Sequence, residues 1–199
     1  MRQTLHSLFL FPINAILSLT QPLLTGTIHK HNTMETARLF LQPLSDGDAA
    51  FIFELLNTKG WIQFIGNRNI HSLDDASAYI KKVQANPNLT YWTVKQKNDN
   101  QPTGLITVIK RDYLDHPDIG FAFLPQYSGM GYAFEAAQEV LQHTLRNSTY
   151  TQITAITLPA NTSSIRLLEK LGLRFEREIE VDKETLHVYT AVAAKLMTV

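Results

Sequence analysis

The chain predicts one α/β domain, a mixed central sheet of about seven strands with helices on both faces. Three observations predict it. Short apolar runs rich in β-branched and aromatic residues alternate with longer stretches whose apolar residues recur every three or four positions. The 199 residues are 44% hydrophobic and 18% charged, enough for one well-buried core and too few for two full-sized ones. The stretch 124–136 writes a strand end, a loop with two glycines and a helix start in immediate succession.

The totals exclude several functions. Lys plus Arg and Asp plus Glu both number 18, so no polyanion-binding surface is expected and nucleic acid is not an expected partner. The absence of cysteine excludes disulfides, thiolate metal sites and a cysteine nucleophile. It fits a reducing compartment, and a cytoplasmic location is expected. The apolar run from Leu8 to Leu19 is broken by Pro12, Asn14 and Ser18 and is too short to span a bilayer, so no membrane partner is expected.

Residues 1–33 stand apart. They contain no Asp or Glu and only Arg2 and Lys30 as full charges, and they read as an N-terminal extension to a domain at 34–199. A first strand covers 38–43, with Leu39 and Leu41 on one face. Ser45 or Asp46 caps a helix carrying Ala49, Ile52, Phe53 and Leu56 at i, i+3, i+4 and i+7. The aromatic-rich segment 61–68 shows no clean period and reads as a loop. Ser72, Asp74 and Asp75 open a second helix with Ala76, Tyr79, Ile80 and Val83 as its stripe, stopped by Asn86-Pro87-Asn88. Strands at 91–97 and 104–110 form a hairpin around 98–102. A strand at 118–124 enters the glycine loop, and a helix follows from about Gly129 to about Arg146. The strand at 153–158 is parallel to its predecessor across this crossover. A short helix from Ser163 to Leu171 ends at Gly172, and strands 174–181 and 185–192 close a hairpin around Asp182-Lys183.

The glycine loop is the first chemical signal. Such a junction leaves backbone N–H groups unpaired at the positive end of a helix dipole, and Gly129 and Gly131 permit left-handed backbone and close ligand approach. That is an anion site, and a phosphate fits it. His71, His143 and His187 have no partner at metal-ligand spacing, so no metal is expected.

Read as a pair, Gln126-Tyr127-Ser128-Gly129-Met130-Gly131, in the pattern Q-x-x-G-x-G, and Asn161 to Leu173 one strand later resemble the two signature segments of the GCN5-related N-acetyltransferase (GNAT) family. The strand 117–124 that precedes them strengthens the likeness, which covers the chain from about Met34 onward. Segment 61–68 and the first-strand motif resemble the RimJ/RimL-like branch of ribosomal-protein N-terminal acetyltransferases.

The resemblance implies acetyl-CoA as cosubstrate, bound along Gln126, Tyr127, Ser128, Gly129, Met130, Gly131, Tyr132 and Ala133, with its pyrophosphate held by the N–H groups from about Gly129 to Ala133. The pantetheine amides would pair like an added strand with Phe121 to Leu124, where two parallel strands splay. The amides of Phe123 and Leu124 are the expected oxyanion donors, while the side chains of Phe121 and Phe123 read as core. Asn161 is placed against the coenzyme arm and can cap its own helix. Ser164 is the expected proton donor to the leaving thiolate, with Tyr189 and Tyr132 as rivals. The tyrosine common in the family just after this asparagine is missing, Leu167 and Leu168 standing there instead. Asp118, on the same strand face as Gly120 and Ala122, is the expected general base, with His116 next in line. Trp61, Phe64, Ile65 and Arg68 would wall the acceptor pocket, and the planar fork of Arg68 suits a carboxylate.

The implied reaction is direct acetyl transfer to a primary amine, foremost a protein or peptide N-terminal α-amine. A small amine, amino acid or antibiotic is the alternative acceptor, and a catalytically idle CoA-binding sensor is the alternative of another class. A monomer or homodimer is expected. A nucleotide-binding module lacks its glycine patterns here.

Overall fold

The computed structural model describes residues 33–147 and 149–192, so the extension at 1–33 lies, save Thr33, outside the described residues. The domain follows the expected order, with one strand and one helix more. The strands are β1 (Met34–Glu35), β2 (Leu39–Pro43), β3 (Leu89–Gln96), β4 (Pro102–Ile109), β5 (Asp118–Phe123), β6 (Gln152–Thr157), β7 (Arg174–Val181) and β8 (Glu184–Val192). They form one eight-stranded sheet in the order β1-β2-β3-β4-β5-β6-β8-β7. The extra strand is β1, two residues long, with Met34 opposite Leu41.

Among the described residues five α-helices flank the sheet. On one face lie α1 (Ala49–Leu56), α2 (Lys59–Phe64) and α3 (Leu73–Ala85), whose Phe51, Ile52, Leu55, Trp61 and Ile80 pack with Leu105 and Leu124. On the other lie α4 (Tyr132–Arg146) and α5 (Thr162–Lys170), where Ala137, Val140, Leu141 and Leu168 meet Leu39, Trp92, Ile106 and Ile153. Burying both faces is what permits a mostly apolar central sheet.

α2 is the helix that periodicity missed. The sequence of 61–68 predicts a loop, but Thr58 caps a helix there, its hydroxyl accepting from Trp61 N–H at 3.2 Å. Six residues containing Gly60 are too few to show a 3.6 period. Ser45 and Asp48 form a reciprocal capping box over a 3-10 turn that leads into α1. The final hairpin turns through Asp182 and Lys183, both with positive φ, the conformation a two-residue turn between twisted strands demands.

One irregularity positions everything that follows. All neighbouring pairs from β1 to β5 are antiparallel, but β5 and β6 run parallel and share a single register pair, Asp118 with Thr154. Thr154 N–H donates to Pro117 O at 2.9 Å, and no further register pair joins the two strands toward the glycine loop.

Candidate active site

A cavity of about 1160 Å³ runs through that splay. One end is walled by Trp61, Phe64, Ile65, Arg68, Tyr79 and Tyr91, and its middle by Asp118, Gly120, Phe121 and Phe123. Its other end reaches Tyr127, Ser128, Gly129, Gly131, Tyr132 and Ala133, with Asn161 and Ser164 alongside. Most of the residues singled out in the sequence are therefore brought to one space. Five are not among its walls: His116, Leu124, Gln126, Met130 and Tyr189.

The physical reasons differ. Met130 is half exposed on the outside of the loop, and the Gln126 side chain reaches Glu54 Oε1 at 3.4 Å. Leu124 corrects the expected pair of oxyanion donors. Its N–H donates to Thr103 O at 2.9 Å, and its side chain, 2% exposed, belongs to the core beneath α1 to α3. Along a strand successive amides point to opposite edges, so those of Phe121 and Phe123 face the splay when that of Leu124 faces β4. Tyr189 is corrected too: 4% exposed, it packs in the α4/α5 core against the ring of Phe175 at 5.9 Å.

The glycine loop has the expected backbone. Gly129 and Gly131 sit at φ 77° and 80°, in the left-handed region, with a 3-10 turn (Pro125–Tyr127) before them. α4 starts at Tyr132, three residues later than the sequence suggests, because Gly131 is its N-cap. Gly131 has no side chain to cap with, so the first-turn amides keep their donor capacity for a ligand.

Residues outside the motif hold this loop. Arg38 Nη1 donates to Met130 O at 3.0 Å, its Nε and Nη2 meet Glu135 Oε2 at 2.7 Å, and its guanidinium lies 4.6 Å from the Tyr132 ring centre. Glu135 also accepts from Thr36 Oγ1 and from Arg38 N–H. Burial pushes its carboxyl up, but the hydrogen bonds from Thr36 and Arg38 outweigh this and hold it below the ordinary range. The Tyr132 hydroxyl donates to Gln96 Oε1 at 2.9 Å, which turns it away from an acid's role toward bracing the loop. Thr36, Arg38 and Glu135 are 97 or more residues apart in pairs across this contact, so no local pattern reveals it.

Asp118 is 2% exposed at the one point where β5 and β6 still pair. Its Oδ2 meets Arg111 Nε at 2.7 Å, and its Oδ1 accepts from Ile156 N–H at 3.0 Å. The carboxylate thus ties β5 to β6. Burial raises its pKa above the ordinary value, and Arg111 opposes this. Asn161 Oδ1 accepts from Ser164 N–H at 3.1 Å, so Asn161 is the cap of α5 and fixes Ser164 in the first turn at the cavity wall. Among the described residues no group of three or more metal-binding side chains converges, and no helix is long and apolar enough to cross a membrane.

The comparisons agree with this geometry. Residues 38–174 match the profile of the acetyltransferase (GNAT) domain. The chain is 27% identical over 141 residues to an uncharacterized N-acetyltransferase, YnaD, of Bacillus subtilis, covering 71% of this chain and 82% of that one. The fold resembles spermidine N-acetyltransferase from Vibrio cholerae, solved with CoA and spermine, at TM-score 0.70 and 17% identity over 81% of this chain and 99% of that one. It also resembles Mycobacterium smegmatis RimJ, solved with CoA-disulfide, at TM-score 0.64 and 18% identity over 79% and 83% of the two chains. A strand pair splayed beside a glycine-capped helix, within a matched segment that runs from β2 into β7, has one reading: the chain belongs to the GNAT acetyltransferase family of acyl-CoA-dependent transferases.

Proposed function

We propose that this protein transfers acetyl from acetyl-CoA directly to the α-amine of a peptide or protein N-terminus, in the manner of the RimJ/RimL-like branch. The observation that carries acyl-CoA binding is the splay of β5 from β6 beside the uncapped first turn of α4. The loop at Gly129 to Ala133 takes the pyrophosphate, and the open edge of β5 pairs with the pantetheine amides. Phe123 N–H stabilises the oxyanion formed as the amine attacks the thioester carbon. When the C–S bond breaks, Ser164 donates a proton to the thiolate. Asp118 receives the proton lost by the ammonium through water. Its oxygens each keep a second lone pair beyond the bonds to Arg111 and Ile156, and its raised pKa makes it a better base.

Acetylation of an amino acid, small amine or antibiotic is the second reading, and a CoA-binding sensor the third. The test measures CoA release against a panel of peptides and amines, with calorimetry of acetyl-CoA binding alongside. Turnover with a peptide supports the first reading and turnover only with small amines the second. Binding without any turnover favours the sensor.

A further inference from the structure

The end of the cavity away from the glycine loop holds a hydrogen-bonded group that no sequence motif marks. Tyr79 of α3, Tyr91 of β3 and Arg68 of the loop after α2 all line it. Tyr79 shares side-chain hydrogen bonds with both Tyr91 and Arg68. A phenolic oxygen has two acceptor positions and one O–H. The two tyrosines and Arg68 thus gather several donors at one place on the cavity wall. Burial raises the pKa of both tyrosines, so both stay protonated at neutral pH. Arg68 presents a fork of N–H donors and no acceptor.

The charges facing this space have the same bias. The cationic walls are Arg68, Lys82 and Arg111, and the anionic ones Asp118 and Glu184. Arg111 and Asp118 neutralise each other at 2.7 Å. Together the walls carry three cations and two carboxylates, a poor host for a polycation, whose remote ammonium groups need carboxylates.

We propose that Arg68 and the Tyr79 hydroxyl form a specificity subsite for an acceptor oxygen beside the reacting amine, the carbonyl or carboxylate of an α-amino acyl unit, and that polyamines are not substrates. Tyr91 is the positioning residue that orients the Tyr79 donor. The inference rests on amine acetylation as proposed above and narrows its acceptor. A site built of donors loses much of its transition-state binding when the matching oxygen is missing, because those donors are then left unpaired.

The test compares kcat/KM for an α-amino acid, a dipeptide with the same N-terminal residue, the corresponding amine without its carboxyl group, and spermidine. The acyl-bearing acceptors are expected to exceed the decarboxylated amine and spermidine about tenfold or more. Arg68→Gln and Tyr79→Phe are expected to erase that preference while leaving acetyl-CoA affinity unchanged, and Tyr91→Phe to weaken it. Whether the dipeptide or the free acid is the better acceptor identifies the source of the oxygen. Equal turnover of the decarboxylated amine or of spermidine by the unaltered protein overturns the inference, as does a preference that survives both substitutions. Failure to acetylate any of the four with acetyl-CoA still bound overturns transfer itself, a different result.

Discussion

The ring of Phe123 is folded over Gly104, its partner across the β4–β5 ladder, so closely that a Cβ on Gly104 would stand 2.3 Å from Phe123 Cδ1. Phe123 also carries the amide assigned to the oxyanion, so the glycine governs where that amide stands. Gly104→Ala is expected to destabilise the fold by about 1–3 kcal/mol through overpacking, and to lower kcat/KM. Adding Phe123→Leu removes the clash and is expected to recover much of both losses, since only the Phe123 backbone is assigned a role. Urea denaturation and steady-state kinetics read the two effects.

Gly129 and Gly131 are not equivalent. Both have left-handed φ, but a Cβ at Gly129 meets open space, whereas one at Gly131 would lie 3.3 Å from Arg38 Nη2. Gly129→Ala is expected to cost strain alone, about 1 kcal/mol. Gly131→Val adds displacement of Arg38 and is expected to weaken acetyl-CoA binding at least about tenfold. Calorimetry showing unaltered affinity for Gly131→Val would sink the phosphate-cradle assignment.

Glu135 makes the loop acid-sensitive. Its carboxyl is held below the ordinary value of 4.5, so the folded protein favours its charged form. The resulting stability is complete above 4.5 and is lost as pH falls through the lower folded value. Glu135→Gln is therefore expected to be less stable than the unaltered protein at pH about 7, with the gap closing toward pH about 3. Denaturation midpoints at the two pH values check it.

The buried Arg111–Asp118 pair predicts the opposite slope. The Asp118 pKa is raised by burial, so the cost of its charge is fully present at neutral pH and is relieved as pH falls through the folded value toward 3.8. Asp118→Asn leaves Arg111 buried without its counter-charge and is expected to cost about 3–5 kcal/mol. If Asp118 also takes the proton, the folded fraction of this variant has a depressed kcat at neutral pH. Full activity would leave it only its role as a tie between strands.

Ser164→Ala is expected to lower kcat by about a hundredfold with little change in acetyl-CoA affinity, as loss of a proton donor does. Removal of the Asn161 cap by Asn161→Ala shifts stability by about 1 kcal/mol, and through Ser164 the rate as well.

What the sequence made legible was whatever is local. The αL glycines, the Asn161 cap, the parallel step from β5 to β6 and the two-residue turn at Asp182 each follow from residues adjacent in the chain. The first helix turn at Trp61 escaped because six residues carry too little periodicity, although Thr58 was there as a cap. The edge that the Leu124 amide faces is not legible in the sequence, because it depends on ladder register, and register is set by β4. The Arg38–Glu135 brace and the Arg68–Tyr79–Tyr91 group join distant segments, and nothing short of the fold brings them together.

A sheet normally has two edges. This one has four, because past Asp118 and Thr154 the strands β5 and β6 each expose a border in the middle of the protein. Exposed borders invite pairing with an extended chain; Asp118 Oδ1 already satisfies Ile156 N–H, and the pantetheine amides are proposed to pair with the open edge of β5. Acyl-CoA bound along this border, as proposed above, is therefore expected to stabilise the fold itself, by about 2.7 kcal/mol at about 100 times Kd.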